Sequence, residues 1–175
     1  MSGENVFIHV YPHKKFDELM KTYGWTEKTV PANCSIISIC CTPEIKKNYL
    51  EDYKHETDEH WFKQNTDNIL NLEFDDIEMD SLQTKYGMAY GITDEQAKTL
   101  VEFIKKQIDK YDGNMHYWYI HCRAGRSRSV AVGEFVEETC IASESSDLWP
   151  RLFLPHSDDN INIFVYNKLR AASKN

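Results

Sequence analysis

The chain has 175 residues, of which 41% are hydrophobic and 27% charged, as is typical of one globular domain with a hydrophobic core. Its net charge of −8 argues against a broad nucleic-acid-binding surface, and no apolar run approaches the roughly 20 residues that span a membrane. Five cysteines, an odd number, without an evident signal peptide argue against a disulfide framework and favour reduced thiols in the cytoplasm.

Four short β-prone runs divide the chain at intervals that leave room for helices. They are VFIHVY (6–11), SIISICC (35–41), ILNLEF (69–74) and MHYWYIH (115–121). The second run is almost continuously apolar, as in a strand that is buried on both faces of a sheet. Such strands are usual in the middle of a parallel sheet.

Helical patterns lie between and after these runs. The clearest one covers 93–110, where TDEQ offers a capping box and apolar residues recur at the 3.6-residue period of a helix. Further helices are predicted at 14–24, near Pro43, at 129–141 and from about Asp159 to Ala172. The alternation predicts a single α/β domain over 1–175, with a central, mostly parallel sheet of four to five strands flanked by helices.

The segment HCRAGRSRS, residues 121–129, joins a predicted strand to a predicted helix. Backbone N–H groups of such a turn and the positive end of the helix can hold an anion of phosphate size. Arg128 could clamp two oxygens of that anion with its planar guanidinium, and the positive surroundings favour a reactive thiolate at Cys122. The segment therefore combines a nucleophile with a site for the anion that it attacks.

The same segment resembles the HCxxGxxR[ST] signature of the cysteine-dependent protein tyrosine phosphatase superfamily. All fixed positions match, namely His121, Cys122, Gly125, Arg128 and Ser129. Beyond the signature, the chain is similar to the compact dual-specificity members through roughly residues 69–140. The resemblance implies a phosphotyrosine protein phosphatase-like fold.

The resemblance also implies a role for each matching side chain. Cys122 would form a cysteinyl-phosphate, and Arg128 would bind the phosphate and stabilise the transition state. Ser129 would donate a hydrogen bond to the thiolate, while His121 would orient the loop and favour that thiolate. The phosphate oxygens would be bound through the loop residues Arg123, Ala124, Gly125, Arg126, Ser127 and Arg128. No CxxC pair suggests zinc, and we expect neither a metal nor a cofactor.

A general acid must protonate the leaving oxygen, and the acidic loop after ILNLEF is the place to look for it. The stretch LNLEFDD resembles the corresponding segment of the regenerating-liver phosphatases, and the alignment places Asp76 at the acid position. Asp75 and Asp80 remain alternatives, because Asp76 lies 46 positions before Cys122 (122 − 76), more than in the compact relatives. The extra length falls in MDSLQTKYGMAYG (79–91), interpreted as a loop extension beside the site.

The expected substrate is a protein or peptide that carries phosphotyrosine, phosphoserine or phosphothreonine. Arg123 and Arg126 keep a phosphoinositide, another polyphosphate or an RNA 5′ end open as alternatives, and a non-catalytic phospho-binding module is a further one. We expect a monomer with no stable nucleic-acid partner and no membrane attachment. Cys40 and Cys41 end a predicted strand, and a disulfide that protects an oxidised Cys122 is a weaker hypothesis.

Overall fold

A computed structural model describes residues 5–111, 113–143 and 161–175, with only the backbone described for 141–143. The described residues contain six strands: β1 Val6–Pro12, β2 Cys34–Cys40, β3 Ile69–Glu73, β4 Ser81–Thr84, β5 Gly87–Tyr90 and β6 His116–Cys122. The same ranges contain five helices: α1 His13–Tyr23, α2 Pro43–Asp52, α3 Asp94–Lys110, α4 Arg128–Ser143 and α5 Ile163–Ser173. The predicted start of the last helix near Asp159 lies outside the described residues.

The central sheet has four strands in the order β1-β6-β2-β3, and every neighbouring pair is parallel. This confirms the predicted α/β class and the predicted parallel sheet. All seven residues of β2 are buried, as its apolar run indicates. Because the strands are parallel, their carboxyl ends meet at one edge, where Cys41, Asp75 and the loop after Cys122 come together.

Helices cover both faces of this sheet. On β2, Ile37 and Ile39 belong to the main core formed with α3, α4 and α5, whereas Ile36 packs in a second cluster with Phe16 and Met20 of α1. The alternation follows from the two-residue period of a strand. It accounts for the absence of a polar face in the sequence of β2.

The segment 79–91 differs from the loop extension that the sequence predicts, because it forms a two-stranded antiparallel hairpin, β4–β5. Gly87, which begins β5 directly after the turn, has a φ of 113°. The hairpin packs on α2 through Ala89, which shares a small cluster with Ile45 and Cys41. Several side chains of the hairpin, among them Leu82, are exposed. The sequence therefore lacks the alternation of apolar and polar residues that is typical of a strand with one buried face.

The predicted capping box of α3 is confirmed: Thr93 Oγ1 accepts from the backbone N–H of Gln96, and the Gln96 side chain accepts from the Thr93 N–H. The charged segment after α2, residues 53–68, contains neither helix nor strand. Within the described ranges, every helix is too short or too polar to cross a lipid bilayer.

Candidate functional site

The loop of residues 123–127 connects β6 to α4 and lies close against the end of β1. Gly125 has a φ of 67°, and a Cβ atom built on it would lie 2.4 Å from the backbone nitrogen of Pro12. Only glycine combines this left-handed conformation with so close an approach. No backbone N–H of residues 123–127 donates to another backbone group of the described chain, so these donors are available to an anion.

Cys122 ends β6 at the base of this loop and is 2% exposed. Its Sγ lies 3.0 Å from Oγ of Ser129, which is fully buried in the first turn of α4. The helix begins at Arg128, so its positive end faces the loop. A hydroxyl at this distance can donate a hydrogen bond to a thiolate.

Arg128 is buried at 2% exposure and lies across the ends of β2 and β3. Its Nη1 donates to the carbonyl of Phe74 at 2.7 Å and lies 3.6 Å from Sγ of Cys41. Its Nε has no hydrogen-bond partner among the described residues. Burial lowers the pKa of Arg128, but the nearby Cys41, Cys122, Asp76 and Asp58 together raise it by more, and the guanidinium stays charged. A buried charge with an unused donor is costly unless an anion binds it.

The two candidate acids that follow β3 have different surroundings. Asp75 is buried and accepts three hydrogen bonds, from N–H and Oγ1 of Thr42 at 2.9 and 2.7 Å and from the N–H of Tyr90 at 2.8 Å. Asp76 is exposed, and its Oδ1 accepts from Oγ of Ser127, at 2.7 Å, in the anion loop. Asp75 is therefore fixed between elements, whereas Asp76 lies over the loop with a carboxylate open to solvent.

Two residues in or next to α5, Asn162 and Lys168, contact this acidic loop. Nδ2 of Asn162, just before α5, donates to Oδ1 of Asp76 at 2.8 Å, while Oδ1 of Asn162 accepts from Val165 N–H as a helix cap. Asp80 is exposed, and its Oδ1 lies 3.7 Å from Nζ of Lys168. The sequence does not reveal the role of Asn162, because a helix-capping residue leaves a local signal whereas a contact with Asp76, 86 positions away, does not.

His121 lies behind the loop rather than in it. It is completely buried, stacks on Phe16 with 4.2 Å between ring centroids, and its Nε2 lies 2.7 Å from Oγ of Ser38. Burial, with the nearby charge of His13 and His60, lowers the pKa of His121 well below its ordinary value. The ring is therefore neutral at neutral pH and contributes orientation to the loop rather than positive charge.

Arg123 and Arg126 are the two arginines whose roles the sequence leaves undecided, and they line different depressions beside the loop. The guanidinium of Arg123 stacks on Tyr49, 3.7 Å from the ring centroid, and lines a groove of about 600 Å³ that also includes Lys14 and Trp61. Arg126 is exposed and lines a second, open depression beside Asp76. Trp61 and Tyr49 are the aromatic residues of the first groove, and the sequence analysis does not single out Tyr49.

The cysteines at the end of β2 are buried free thiols. Burial raises the pKa of Cys41 to about 11, and burial raises the pKa of Cys40 further, so both are protonated at neutral pH. Cys41 contacts Arg128, which links this strand end to the anion loop. Protection of an oxidised Cys122 by either thiol stays a prediction.

Comparison of the chain with protein-family models, with curated proteins and with solved structures gives no match.

Proposed function

We propose that the protein is a phosphatase that hydrolyses phosphomonoesters of proteins, on tyrosine or on serine and threonine, with a fold of the protein tyrosine phosphatase type. One observation carries the proposal: Sγ of Cys122 lies at the base of a loop with free backbone N–H groups, 3.0 Å from the hydroxyl of Ser129. The arrangement unites a nucleophile, an anion site and a stabilising hydroxyl.

In the first step the Cys122 thiolate attacks phosphorus, the S–P bond forms and the P–O bond to the substrate oxygen breaks. The free N–H groups of 123–127 and the guanidinium of Arg128 would bind the three equatorial oxygens as charge spreads over them. Asp76 would give its proton to the leaving oxygen. Its exposed position above the loop, in contact with Ser127, supports this assignment over Asp75.

In the second step a water molecule attacks phosphorus of the cysteinyl-phosphate, and Asp76 takes the proton of that water. The S–P bond breaks, inorganic phosphate forms, and the sulfur leaves as the thiolate. Ser129 would donate to this thiolate and so make sulfur a better leaving group. The two steps regenerate the enzyme with Asp76 protonated.

The groove beside the loop supports a peptide substrate. Its walls combine the aromatic rings of Tyr49 and Trp61 with the charged groups of Lys14, Arg123 and Glu56. Apolar and charged groups side by side suit side chains that flank a phosphorylated residue. We assign the groove to these flanking residues.

Turnover of p-nitrophenyl phosphate tests the proposal, with wild type compared with Cys122→Ser, Arg128→Lys and Asp76→Asn. We expect vanadate-sensitive turnover by wild type, its loss in Cys122→Ser, and a decrease of about 10²-fold or more in Arg128→Lys. Cys34→Ser and Arg170→Lys, which change the same residue types far from the loop, should leave turnover unchanged. Wild-type turnover no higher than that of Cys122→Ser would contradict the proposal and favour a phospho-binding module.

A substrate panel then tests the class of phosphoester. Phosphotyrosine and phosphothreonine peptides are compared with phosphoinositides and with RNA that carries a 5′ phosphate. We expect kcat/KM to be highest for a phosphopeptide and to fall with Tyr49→Ala, since the groove loses one of its aromatic walls. A higher kcat/KM for a phosphoinositide or for RNA would contradict the peptide assignment.

A further inference from the structure

A second cluster of reactive side chains lies behind the anion loop, at the carboxyl end of β2. His13, Cys40 and Asp58 come from three different parts of the chain and are each at most 2% exposed. One potential ligand atom from each residue lies within 4.8 Å of the other two. The proposed catalytic steps use none of these three side chains.

Three side-chain atoms of the cluster are buried without a hydrogen-bond partner in the described part of the chain, namely both ring nitrogens of His13 and Oδ1 of Asp58. Nδ1 of His13 and Oδ1 of Asp58 face each other across 3.9 Å. The other carboxylate oxygen of Asp58 accepts from the backbone N–H of Cys41 at 2.9 Å. Buried donors and acceptors are nearly always paired, so these two atoms point to a missing ligand between them.

The remaining ring nitrogen of His13 has the neighbour that a metal-binding histidine needs. Its Nε2 lies 3.1 Å from Oδ2 of Asp17, one turn further along α1. The contact lacks hydrogen-bond geometry, but a carboxylate this close favours the tautomer with the proton on Nε2. That tautomer leaves the lone pair of Nδ1 for a metal between His13, Cys40 and Asp58.

We propose that His13, Cys40 and Asp58 bind a Zn²⁺ ion, and that His60 turns to supply the fourth ligand. Nδ1 of His60 lies 3.5 Å from Sγ of Cys40 and would give up its 2.6 Å contact with Oγ of Ser38, while Ser38 keeps its contact with His121. Imidazole, thiolate and carboxylate together are a zinc ligand set, whereas Mg²⁺ and Ca²⁺ require oxygen ligands. Binding would release the Cys40 proton to solvent.

Charge balance supports the assignment. A divalent cation with one thiolate, one carboxylate and two neutral imidazoles has no net charge, which a buried site requires. Without metal, Oδ1 of Asp58 has no hydrogen-bond partner among the described residues, and the ion would supply one.

The site would hold together three segments that border the anion loop. It would join the first turn of α1 to the end of β2 and to the irregular segment 53–68. The backbone N–H of His13 also donates to the carbonyl of Arg123 at 3.0 Å. We therefore infer a structural zinc site that supports the loop and is independent of the proposed phosphatase activity.

Metal binding by the full-length, reduced protein after treatment with a chelator tests this inference. We expect one equivalent of Zn²⁺ to bind in competition with a chromophoric chelator, and Co²⁺ to give a thiolate-to-cobalt charge-transfer absorption. Zn²⁺ should also raise the Tm of the wild type. Absence of stoichiometric Zn²⁺ binding by the wild type would overturn the proposal without reference to any variant.

Cysteine variants then locate the site. Cys40→Ser should lose the charge-transfer absorption and most of the zinc affinity, at least 100-fold, whereas Cys34→Ser and Cys122→Ser should retain both. Asp58→Asn should abolish the Tm increase that zinc gives. Loss of binding in Cys122→Ser would place the ion on the nucleophile, and full binding in Cys40→Ser would show that Cys40 is not a ligand. Either result contradicts the assignment. The zinc result and the turnover result are thus separable.

Discussion

Oγ of Ser127 donates a hydrogen bond of 2.7 Å to Oδ1 of Asp76, and this bond joins the anion loop directly to the acidic loop that follows β3. The two residues lie 51 positions apart in the chain. The bond therefore sets where the proposed proton donor stands relative to the nucleophile.

Ser127→Ala should impair the proton donor more than the nucleophile. We expect kcat for phenyl phosphate, whose leaving oxygen needs a proton, to fall about 3- to 10-fold, which corresponds to roughly 0.7–1.4 kcal/mol. With p-nitrophenyl phosphate, whose leaving group is stable as an anion, the decrease should be smaller. Steady-state kinetics with the two substrates measures the difference.

Ser173→Ala is the matched control, because its hydroxyl donates to the carbonyl of Arg170 at the far end of α5. It should leave both kcat values unchanged. An equal decrease for the two substrates in Ser127→Ala would mean that Ser127 acts on phosphate binding and not through Asp76.

Asp75→Asn should destabilise the protein rather than remove the acid. Asp75 accepts three hydrogen bonds in a buried position, and an amide would present N–H groups to at least one of those donors. We expect the free energy of unfolding to fall by about 2–3 kcal/mol. Chemical denaturation measures this change.

Asp76→Asn is the counterpart with the opposite profile. Its side chain is exposed, so we expect a loss of stability within about 1 kcal/mol but a decrease of about 10²-fold in kcat for phenyl phosphate. If Asp75→Asn remains fully stable and loses the activity instead, the two assignments must be exchanged.

Much of the fold could be predicted from the sequence because its signals are local. The apolar run of β2 and the capping box of α3 each indicate a strand or a helix from a few adjacent residues. The hairpin at 79–91 could not be predicted, because β4 is exposed and its pairing depends on packing against α2. An exposed strand has no buried face to impose alternation on the sequence.

The same distinction applies to the site. The anion loop is contiguous, so its motif could be read directly, whereas the contact of Asn162 with Asp76 connects distant parts of the chain. The cluster of His13, Cys40 and Asp58 forms no local sequence motif, since each residue comes from a separate segment of the chain. The expectation that no metal binds rested on local spacing alone and did not test for such a cluster.

Gly125→Ala should be far more costly than Gly24→Ala, although the two glycines have nearly the same backbone conformation. Their φ angles are 67° and 66°, so both substitutions bear the left-handed penalty of about 1–2 kcal/mol. At Gly24 nothing lies within 4 Å of the added Cβ, whereas at Gly125 it would meet Pro12 N at 2.4 Å. We expect Gly125→Ala to lose about 3 kcal/mol or more.

Thermal and chemical unfolding of the two variants measure the difference in their free energies of unfolding. The loss in Gly24→Ala gives the cost of the left-handed conformation alone, which is subtracted from the loss in Gly125→Ala. Turnover of p-nitrophenyl phosphate should also fall in Gly125→Ala, because β1 and the anion loop must separate to admit the methyl group. Equal stability of the two variants would show that the loop can move away from Pro12 without cost.

Buried histidines should make the protein less stable as the pH falls below about 6.5. Burial lowers the pKa of His116 to about 4, and its Nε2 lies 2.7 Å from Oγ of Ser35 in the core. Between these values the unfolded chain binds a proton that the folded protein does not, so the free energy of unfolding rises with pH and is lost on acidification. His121, whose pKa is lowered further, acts in the same direction.

His116→Gln removes one of these groups and should flatten the pH dependence. Between about pH 7.5 and about pH 5, we expect the wild type to lose about 2 kcal/mol more of its free energy of unfolding than the variant does. Denaturant unfolding at both pH values gives the comparison, even if the variant is less stable throughout. His55→Gln, which changes a histidine with 80% side-chain exposure, should retain the slope of the wild type. If His116→Gln also retains it, burial of His116 is not what destabilises the protein in acid.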